Sequence, residues 1–416
     1  MTVMDICRAA KEAAADLRLL NTAVKNRALE AMAGALEAHR EDLIKANAVD
    51  IEKARATGVS PTLIDRLTLN DKRIAGMVNA IRVIAGLADP VGLGVGRQER
   101  PNGLVVEQVR EPLGVVAVIY EARPNVTADV AALCLKSGNA AVLRGSSIAY
   151  NSNAAITEVL HEALRGVEGI PGNAVQLVHD VSREGALELL KAKGYVDLLV
   201  PRGGPELIRT VEENATVPTV IDGDGNCHIY VDAAADLRMA TDIAVNAKTS
   251  RPSVCNAMET LLVHQDVARE WLPVVLQELG QRGVEIRGCE RVRDIVPSVD
   301  AADETDWGTE YLDLVLAVKV VDDLDAAIAH IGTWGTMNAD GIVTQDIATA
   351  QRFTRAVSTG SVFVNTSTRY SDGGEFGYGV EIGVSTQKLH SRGPMGLESL
   401  TSVKNVVWGN GQVRVL

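Results

Sequence analysis

The feature that most constrains the fold is an alternation of short apolar runs and helical segments that begins at Gly114. Apolar, β-branched runs predict buried strands, and the segments between them repeat apolar residues with the period of a helix. Such alternation is typical of a parallel, doubly wound α/β sheet with helices on both faces. The predicted strands cover residues 114–120, 140–143, 174–178 and 196–200, and the predicted helices cover 126–137, 153–164, 185–193 and 206–213.

A second α/β unit is predicted to begin near Asp222. Its predicted elements are a helix over 236–248, strands over 258–264, 312–321 and 360–365, and a last strand or strand pair within 400–416. Ahead of the first unit, residues 2–56 are Ala-rich with a helical period, and a further helix is predicted over 70–86 with Asn70 as its N-cap. These N-terminal helices are expected to form an outer layer.

A polar β-hairpin is predicted over residues 98–110. The turn signal is Pro101-Asn102-Gly103, and the apolar run Leu104-Val105-Val106 follows it. An exposed hairpin leaves unpaired backbone groups at its edge. The hairpin is therefore interpreted as an oligomer contact, with a solvated hairpin as the alternative.

The composition excludes several classes of partner and compartment. The net charge of −13 argues against nucleic acid or an anionic membrane surface as the main partner. The five cysteines are odd in number, widely spaced and without a CxxC pair, which favours a reducing compartment. No secretory signal and no apolar run of about 18–20 residues is visible. A cytoplasmic protein is expected.

Cys255 is the main candidate for chemistry. It follows a predicted helix and Pro252 and precedes a predicted strand, so it lies in a loop between two elements, where functional residues concentrate. Cations lower the pKa of a thiol, and Lys248 and Arg251 are the nearest cations in sequence. From spacing alone, a buried structural cysteine remains the alternative.

Two turns carry weak signals for phosphate binding. Arg202-Gly203-Gly204 follows a predicted strand and precedes a helix, where backbone N–H groups can bind an anion. Arg144-Gly145-Ser146 also follows a strand, and its guanidinium and hydroxyl suit the 2′-phosphate of NADP. A plain turn and a surface arginine beside a capping serine are the respective alternatives.

The remaining glycine-rich and cationic segments are less specific. Residues 222–228 suggest a metal loop, but the twelfth position from Asp222 is Ala233 where an EF-hand needs a glutamate, so no metal site is predicted. The loop from Phe376 to Gly383 is flanked by Arg369 and Arg392, which are candidates for binding an anionic substrate. Solvated surface charge is the alternative for both arginines.

Three motifs in order carry a resemblance to a known family. They are Tyr120-Glu121-Ala122-Arg123-Pro124-Asn125-Val126-Thr127, Ser250-Arg251-Pro252-Ser253-Val254-Cys255-Asn256, and the segment from Phe376 through Gly396. Together they resemble the glutamate-5-semialdehyde dehydrogenases of the aldehyde dehydrogenase superfamily, over nearly the whole chain. The resemblance implies an aldehyde dehydrogenase-like α/β fold, with doubly wound parallel sheets in a cofactor domain and a catalytic domain, plus a small β oligomerisation arm. The implied boundaries are 1–97 and 113–221 for the NADP-binding domain, 222–391 for the catalytic domain, and 98–112 and 392–416 for the arm.

The resemblance also implies roles for individual residues. Cys255 would be the nucleophile, and Asn125 would donate to an oxyanion. The implied cofactor contacts are Arg144, Gly145, Ser146, Arg202, Gly203, Gly204, Glu310 (at the nicotinamide ribose) and Phe376. The implied substrate contacts are Arg251, Ser253, Arg369 and Arg392. Ile221 stands where hydrolytic relatives carry a water-activating glutamate, with Asp222 beside it as the candidate substitute.

The implied activity is the NADPH-dependent reduction of γ-glutamyl phosphate to glutamate 5-semialdehyde through a cysteine thioester, in proline biosynthesis. NADP(H) would be the cofactor, although the sequence does not separate it from NAD. The implied partners are a second copy of the chain, in a dimer or tetramer, and transiently glutamate 5-kinase, with no nucleic acid and no membrane. A coenzyme A-acylating aldehyde dehydrogenase and a non-catalytic NADP-binding protein remain the alternatives.

Overall fold

The chain divides into two compact units in a computed structural model, which describes residues 1–414. The first unit contains Met1–Asp222, Gly377–Gly383 and the residues from Met395 onward. The second contains Gly223–Phe376 and Val384–Pro394. Each unit has its own parallel sheet and its own apolar core.

The first unit begins with a layer of helices that end in recognisable caps. The side chain of Asn70 accepts a hydrogen bond from the Arg73 N–H at 2.9 Å, which confirms the predicted N-cap. Thr2 and Asp5 cap the first helix reciprocally. These helices are α1 (Val3–Leu17), α2 (Thr22–Ala38), α3 (Arg40–Ala56), α4 (Pro61–Leu67) and α5 (Asp71–Gly86).

The predicted hairpin follows this layer. Strands β1 (Gly94–Glu99) and β2 (Val105–Pro112) pair in antiparallel fashion, so the hairpin is confirmed and starts four residues earlier than predicted, at 94 rather than 98. All residues of β1 are exposed. Strand β1 therefore contributes little to the core of the first unit, whereas β2 is mostly half-buried.

A four-stranded parallel sheet forms the centre of the first unit, as predicted. Its strands are β3 (Val115–Tyr120), β4 (Ala140–Gly145), β5 (Val175–Leu177) and β6 (Leu198–Arg202), in the order β5-β4-β3-β6. Its helices are α6 (Asn125–Lys136), α7 (Tyr150–Arg165), α8 (Arg183–Leu190) and α9 (Pro205–Asn214). The chain moves outward from β3 to β5 and then returns to the other side of β3. The carboxyl ends of β3 and β6 therefore flank a topological switch point, where ligands bind in such sheets.

The second unit is built on a seven-stranded parallel sheet in the order β10-β9-β11-β8-β7-β12-β13. The strands are β7 (Cys227–Val231), β8 (Met258–His264), β9 (Glu285–Gly288), β10 (Asp300–Ala301), β11 (Val315–Val321), β12 (Ala339–Val343) and β13 (Ser361–Val364). The helices are α10 (Leu237–Thr249), α11 (Gln265–Gln281), α12 (Glu290–Ile295), α13 (Leu324–Trp334) and α14 (Ile347–Ala356). Leu312 has a φ of 54°, so the strand predicted over 312–321 is wrong in its first three residues.

Two further strand pairings complete the fold. Strands β14 (Val384–Ser385) and β15 (Gly393–Pro394) pair in the second unit. In the first unit β16 (Thr401–Trp408) pairs with β2 over the length of that strand, which confirms the predicted C-terminal strand. Among residues 1–414, no helix is both long and apolar enough to cross a membrane. Within the same residues, His, Cys, Asp and Glu side chains form no group of three that could hold a metal ion.

Gly138 ends α6 and provides a test of the packing around the first sheet. Its φ is +75°, and a Cβ there would lie 2.8 Å from the Pro112 Cγ. Gly58 has a similar φ of +72° but open space around it. We expect Gly138→Ala to lower the free energy of unfolding by about 2–4 kcal/mol, because it adds steric overlap to backbone strain. Gly58→Ala should lose only about 1 kcal/mol. Equal losses in urea denaturation would contradict this packing argument.

Candidate active site

The Cys255 loop, residues 250–257, connects the end of α10 to the start of β8. Cys255 is partly exposed, whereas Cys227 is fully buried. The loop lies at the amino-terminal edge of the second sheet, because it immediately precedes β8. Ligands usually bind at the carboxyl ends of strands in a parallel sheet, and Cys255 does not follow this rule.

The carbonyl group of Cys255 is held by contacts with Gly225 and Cys227. A Cβ on Gly225 would clash with the carbonyl oxygen of Cys255, so only glycine fits there. The thiol of Cys227 donates to the same carbonyl oxygen at 3.2 Å. Burial raises the pKa of Cys227, which keeps it protonated and able to donate. Cys255 thus sits on a fixed backbone.

The turn that carries Arg369 is fastened to the Cys255 loop. The Asn256 amide donates to the Ser371 carbonyl at 3.0 Å, and the Thr368 hydroxyl donates to the Asn256 carbonyl at 2.8 Å. Arg369 Nε donates to the Ser250 hydroxyl at 3.2 Å. Arg369, a predicted substrate contact, therefore lies against the Cys255 loop.

Arg251 and Arg369 form a cationic pair beside Cys255. Burial lowers the pKa of Arg369, and the positive charge of Arg251 lowers it further. A Cys255 thiolate acts on the Arg369 pKa in the opposite direction, which means that the guanidinium and the thiolate attract each other. Two repelling guanidiniums next to a thiol favour binding of an anion.

The other predicted substrate contacts have different surroundings. Arg392 Nη2 donates to the Ser358 carbonyl at 2.6 Å. Ser253 is partly exposed within the Cys255 loop itself. The ring of Phe376, a predicted cofactor contact, packs against Phe363 with ring centres 6.2 Å apart.

Glu310 also reaches the segment beneath Cys255. Its carboxylate accepts a hydrogen bond from the Gly225 N–H at 2.8 Å.

Lys248, suggested by the sequence as a cation for the thiolate, is instead fully buried against Glu259 at 2.5 Å. Burial raises the pKa of Glu259 to about 7, although Lys248 opposes the rise. Sequence reasoning missed Gly225, Cys227 and Glu259, and it considered residues 222–228 only as a metal loop.

In the first unit, Arg202 lies at the carboxyl end of β6, at the switch point. Its guanidinium pairs with the carboxylate of Asp222. The Gly204 N–H donates to a carboxylate oxygen of Glu121 at 3.2 Å, and α9 begins without a side-chain cap. The turn Arg202-Gly203-Gly204 therefore donates a backbone N–H to an anionic oxygen, as a phosphate-binding turn would.

The predicted 2′-phosphate turn has donors that are engaged and donors that are not. Arg144 Nη2 donates to the carbonyls of Val181 and Ser182, each at 2.8 Å. The Ser146 hydroxyl is buried and has no hydrogen-bond partner within residues 1–414. A side chain at Gly145 would clash with the amide of Asn153. Arg144 Nε is likewise buried without a partner among these residues, so the arginine and the serine each keep a donor for a new acceptor.

Asn125 begins α6 and is oriented by a carboxyl group that the sequence prediction missed. Its amide donates to Asp129 Oδ2 at 2.9 Å. Burial raises the pKa of Asp129 to about 6, against the effect of this hydrogen bond. The two residues are four apart on a helix, so this spacing was the signal that could have revealed the pair.

Comparisons with known proteins show the family to which the chain belongs. The model of the aldehyde dehydrogenase family matches residues 1–309. Gamma-glutamyl phosphate reductase from Carboxydothermus hydrogenoformans is 53% identical over 412 residues, which cover 99% of each chain. The enzyme of that name from Moorella thermoacetica is 54% identical over 405 residues, or 97% of each chain. The crystal structure of gamma-glutamyl phosphate reductase from Thermotoga maritima has a TM-score of 0.98 and 47% identity, and the match covers both chains completely.

The predicted resemblance and the predicted fold class are therefore confirmed. The matched family and the solved structure have the same fold. Enzymes of this family are oxidoreductases that use a nicotinamide cofactor. The chain belongs to the aldehyde dehydrogenase family of oxidoreductases.

Proposed function

We propose that this chain reduces γ-glutamyl phosphate to glutamate 5-semialdehyde and phosphate with NADPH, as a step of proline biosynthesis. The observation that carries the proposal is the Cys255 thiol, fixed by its backbone and placed beside the Arg251–Arg369 pair. The names of the relatives supply the substrate. A cytoplasmic location fits a reaction that needs a reduced thiol.

In the first step the Cys255 thiolate attacks the acyl carbon of the substrate. The bond from that carbon to the phosphate oxygen breaks, inorganic phosphate leaves, and a γ-glutamyl thioester remains on Cys255. Arg251 and Arg369 stabilise the thiolate and bind the departing phosphate. Ser253 and Arg392 are assigned to the amino-acid end of the substrate.

Charge develops on the acyl oxygen during attack. The backbone N–H of Cys255 and the amide of Asn125 are the proposed donors to this oxyanion, and loss of one such donor typically costs about 3–4 kcal/mol of transition-state stabilisation. Asp129 fixes the orientation of the Asn125 amide through its hydrogen bond. A second amide hydrogen remains for the substrate.

The thioester must be reduced before water hydrolyses it. Ile221 cannot activate water, and it is buried. Asp222, the candidate substitute, is engaged by the guanidinium of Arg202. We infer that Asp222 has no role as a base and that the thioester lasts long enough to be reduced.

The residues proposed to hold NADP(H) fit its charged groups. The Arg202-Gly203-Gly204 turn suits the pyrophosphate, and Arg144, Gly145 and the unpartnered Ser146 hydroxyl suit the adenosine phosphate. Glu310 is assigned to the nicotinamide ribose and Phe376 to the nicotinamide end. When bound, the nicotinamide supplies hydride to the thioester carbon. The Cys255 thiolate is then expelled, and the semialdehyde leaves.

A homo-oligomer is proposed to form through the sheet of β1, β2 and β16. Strand β16 exposes Val403, Val407 and Trp408 by 46%, 54% and 60%, and a sheet edge with apolar side chains favours pairing with a second copy. Transient contact with glutamate 5-kinase is proposed because the acyl phosphate is labile.

Cys255→Ser should abolish turnover, because a serine hydroxyl without a base is a poor nucleophile. We expect a loss of at least about 1,000-fold in kcat. The measurement is NADP reduction with glutamate 5-semialdehyde and inorganic phosphate. Cys289→Ser, at another partly exposed cysteine, is the matched control and should keep normal turnover. Turnover by the Cys255 variant that approaches the control rate would exclude the thioester route.

Oxidation of the semialdehyde should require inorganic phosphate, and coenzyme A should not replace it. The reason is that the Arg251–Arg369 pair matches a compact dianion. The same assay is run with phosphate alone, coenzyme A alone and neither. Turnover that depends on coenzyme A would establish the acylating alternative, and no turnover under any condition would favour a non-catalytic NADP-binding protein.

A further inference from the structure

A buried ion pair spans the two ends of the Cys255 loop. Lys248 lies in the last turn of α10, Glu259 is the second residue of β8, and both side chains are 0% exposed. Removing two charges from water is costly, and such pairs are often no more stabilising than apolar residues of the same size. Stability alone therefore does not explain the Lys248–Glu259 pair, and we consider what the two side chains hold in position.

The second oxygen of Glu259 reaches a different segment. Glu259 Oε1 accepts a hydrogen bond from the Leu312 N–H at 3.2 Å. Leu312 has a left-handed φ of 54°, which a leucine adopts only when its surroundings hold it there. The carboxylate therefore anchors a strained residue in the segment 309–313.

The neighbours of Leu312 are anchored from the same side. The ring of Tyr311 lies 5.8 Å from the Lys248 ammonium, and its hydroxyl donates to Asp306 at 2.7 Å. Glu310 accepts from the Gly225 N–H, and Gly225 packs on the carbonyl of Cys255. A chain of contacts thus runs from the ion pair through Glu310 to the nucleophile.

We propose that Glu259, held in place by Lys248, is a positioning residue that fixes the segment 309–313 so that the Glu310 carboxylate is ready for the nicotinamide ribose. This inference rests on the proposed function, which assigns that ribose contact to Glu310. Glu259 itself touches neither substrate nor cofactor in this proposal. It acts through the hydrogen bond to the Leu312 N–H.

Two double variants separate the hydrogen bond from the charges. Lys248→Met with Glu259→Gln removes both charges but keeps a side-chain oxygen for the Leu312 N–H. Lys248→Met with Glu259→Met removes the acceptor as well. We expect the Met/Met variant to bind NADPH about tenfold more weakly, the size of effect that loss of one buried hydrogen bond produces, and the Met/Gln variant to stay within about twofold of the unmodified protein. NADPH fluorescence titration gives the dissociation constants.

A buried pair elsewhere in the chain provides the matched control. Lys25 and Asp89 lie 2.8 Å apart in the first unit, with side chains 0% and 9% exposed. Lys25→Met with Asp89→Asn should change the melting temperature while leaving the NADPH dissociation constant unchanged. If loss of any buried pair weakened NADPH binding through general destabilisation, the Lys25–Asp89 variant would also bind NADPH more weakly.

Hydrogen exchange tests the same anchor without any substitution. In the unmodified protein the Leu312 amide should exchange slowly before NADPH is added, because Glu259 holds it. Rapid exchange of that amide would overturn the proposal, as would a Met/Met variant with normal NADPH affinity or a Met/Gln variant as weak as Met/Met. These measurements do not require turnover. Failure of the phosphate-dependent assay in the unmodified protein would therefore remove the proposed function alone.

Discussion

The close approach of Gly225 to the carbonyl of Cys255 is the constraint on which the candidate site depends. No side chain larger than hydrogen fits between these two backbones. Because the Gly225 N–H also donates to Glu310, one residue contacts both the proposed nucleophile loop and the carboxylate proposed to bind the cofactor. A thiol on a mobile loop would lose much of the rate advantage that fixed geometry provides.

Local sequence patterns predicted the parallel sheet of the first unit, its hairpin and the Asn70 cap, because each depends on residues close together in the chain. The apolar pattern gave wrong strand boundaries where the backbone conformation of a residue did not suit a strand. Leu312 is apolar and precedes a strand, yet its left-handed φ takes it out of the sheet. Strand β12 was missed because its first residues, Ala339, Asp340 and Gly341, lack the β-branched character of a buried strand.

Cys255 was predicted as a site residue because it lies in a distinctive motif, and Arg369 because it is a cation that flanks the glycine-rich loop from Phe376 to Gly383. Their supports were not predictable, since Glu259 and Lys248 are eleven residues apart and meet only when α10 and β8 pack together. The sequence suggested Lys248 as a cation for the thiolate. In the structure Lys248 pairs with Glu259 instead, and the cations near Cys255 are arginines, one of which comes from a turn more than a hundred residues away.

Because the chain is acidic overall, attraction of an anion to the Cys255 loop depends on nearby cations such as Arg251 and Arg369. A net charge of −13 would repel an anionic substrate at long range. At physiological ionic strength, charges further than about 8 Å apart are largely screened, so the field near Cys255 is set by its immediate neighbours. Burial lowers the pKa of Arg369 most, and repulsion by the positive charge of Arg251 lowers it further. An anion that binds between them relieves this repulsion, and this relief favours a phosphate group beside the thiol, as the proposed reaction requires.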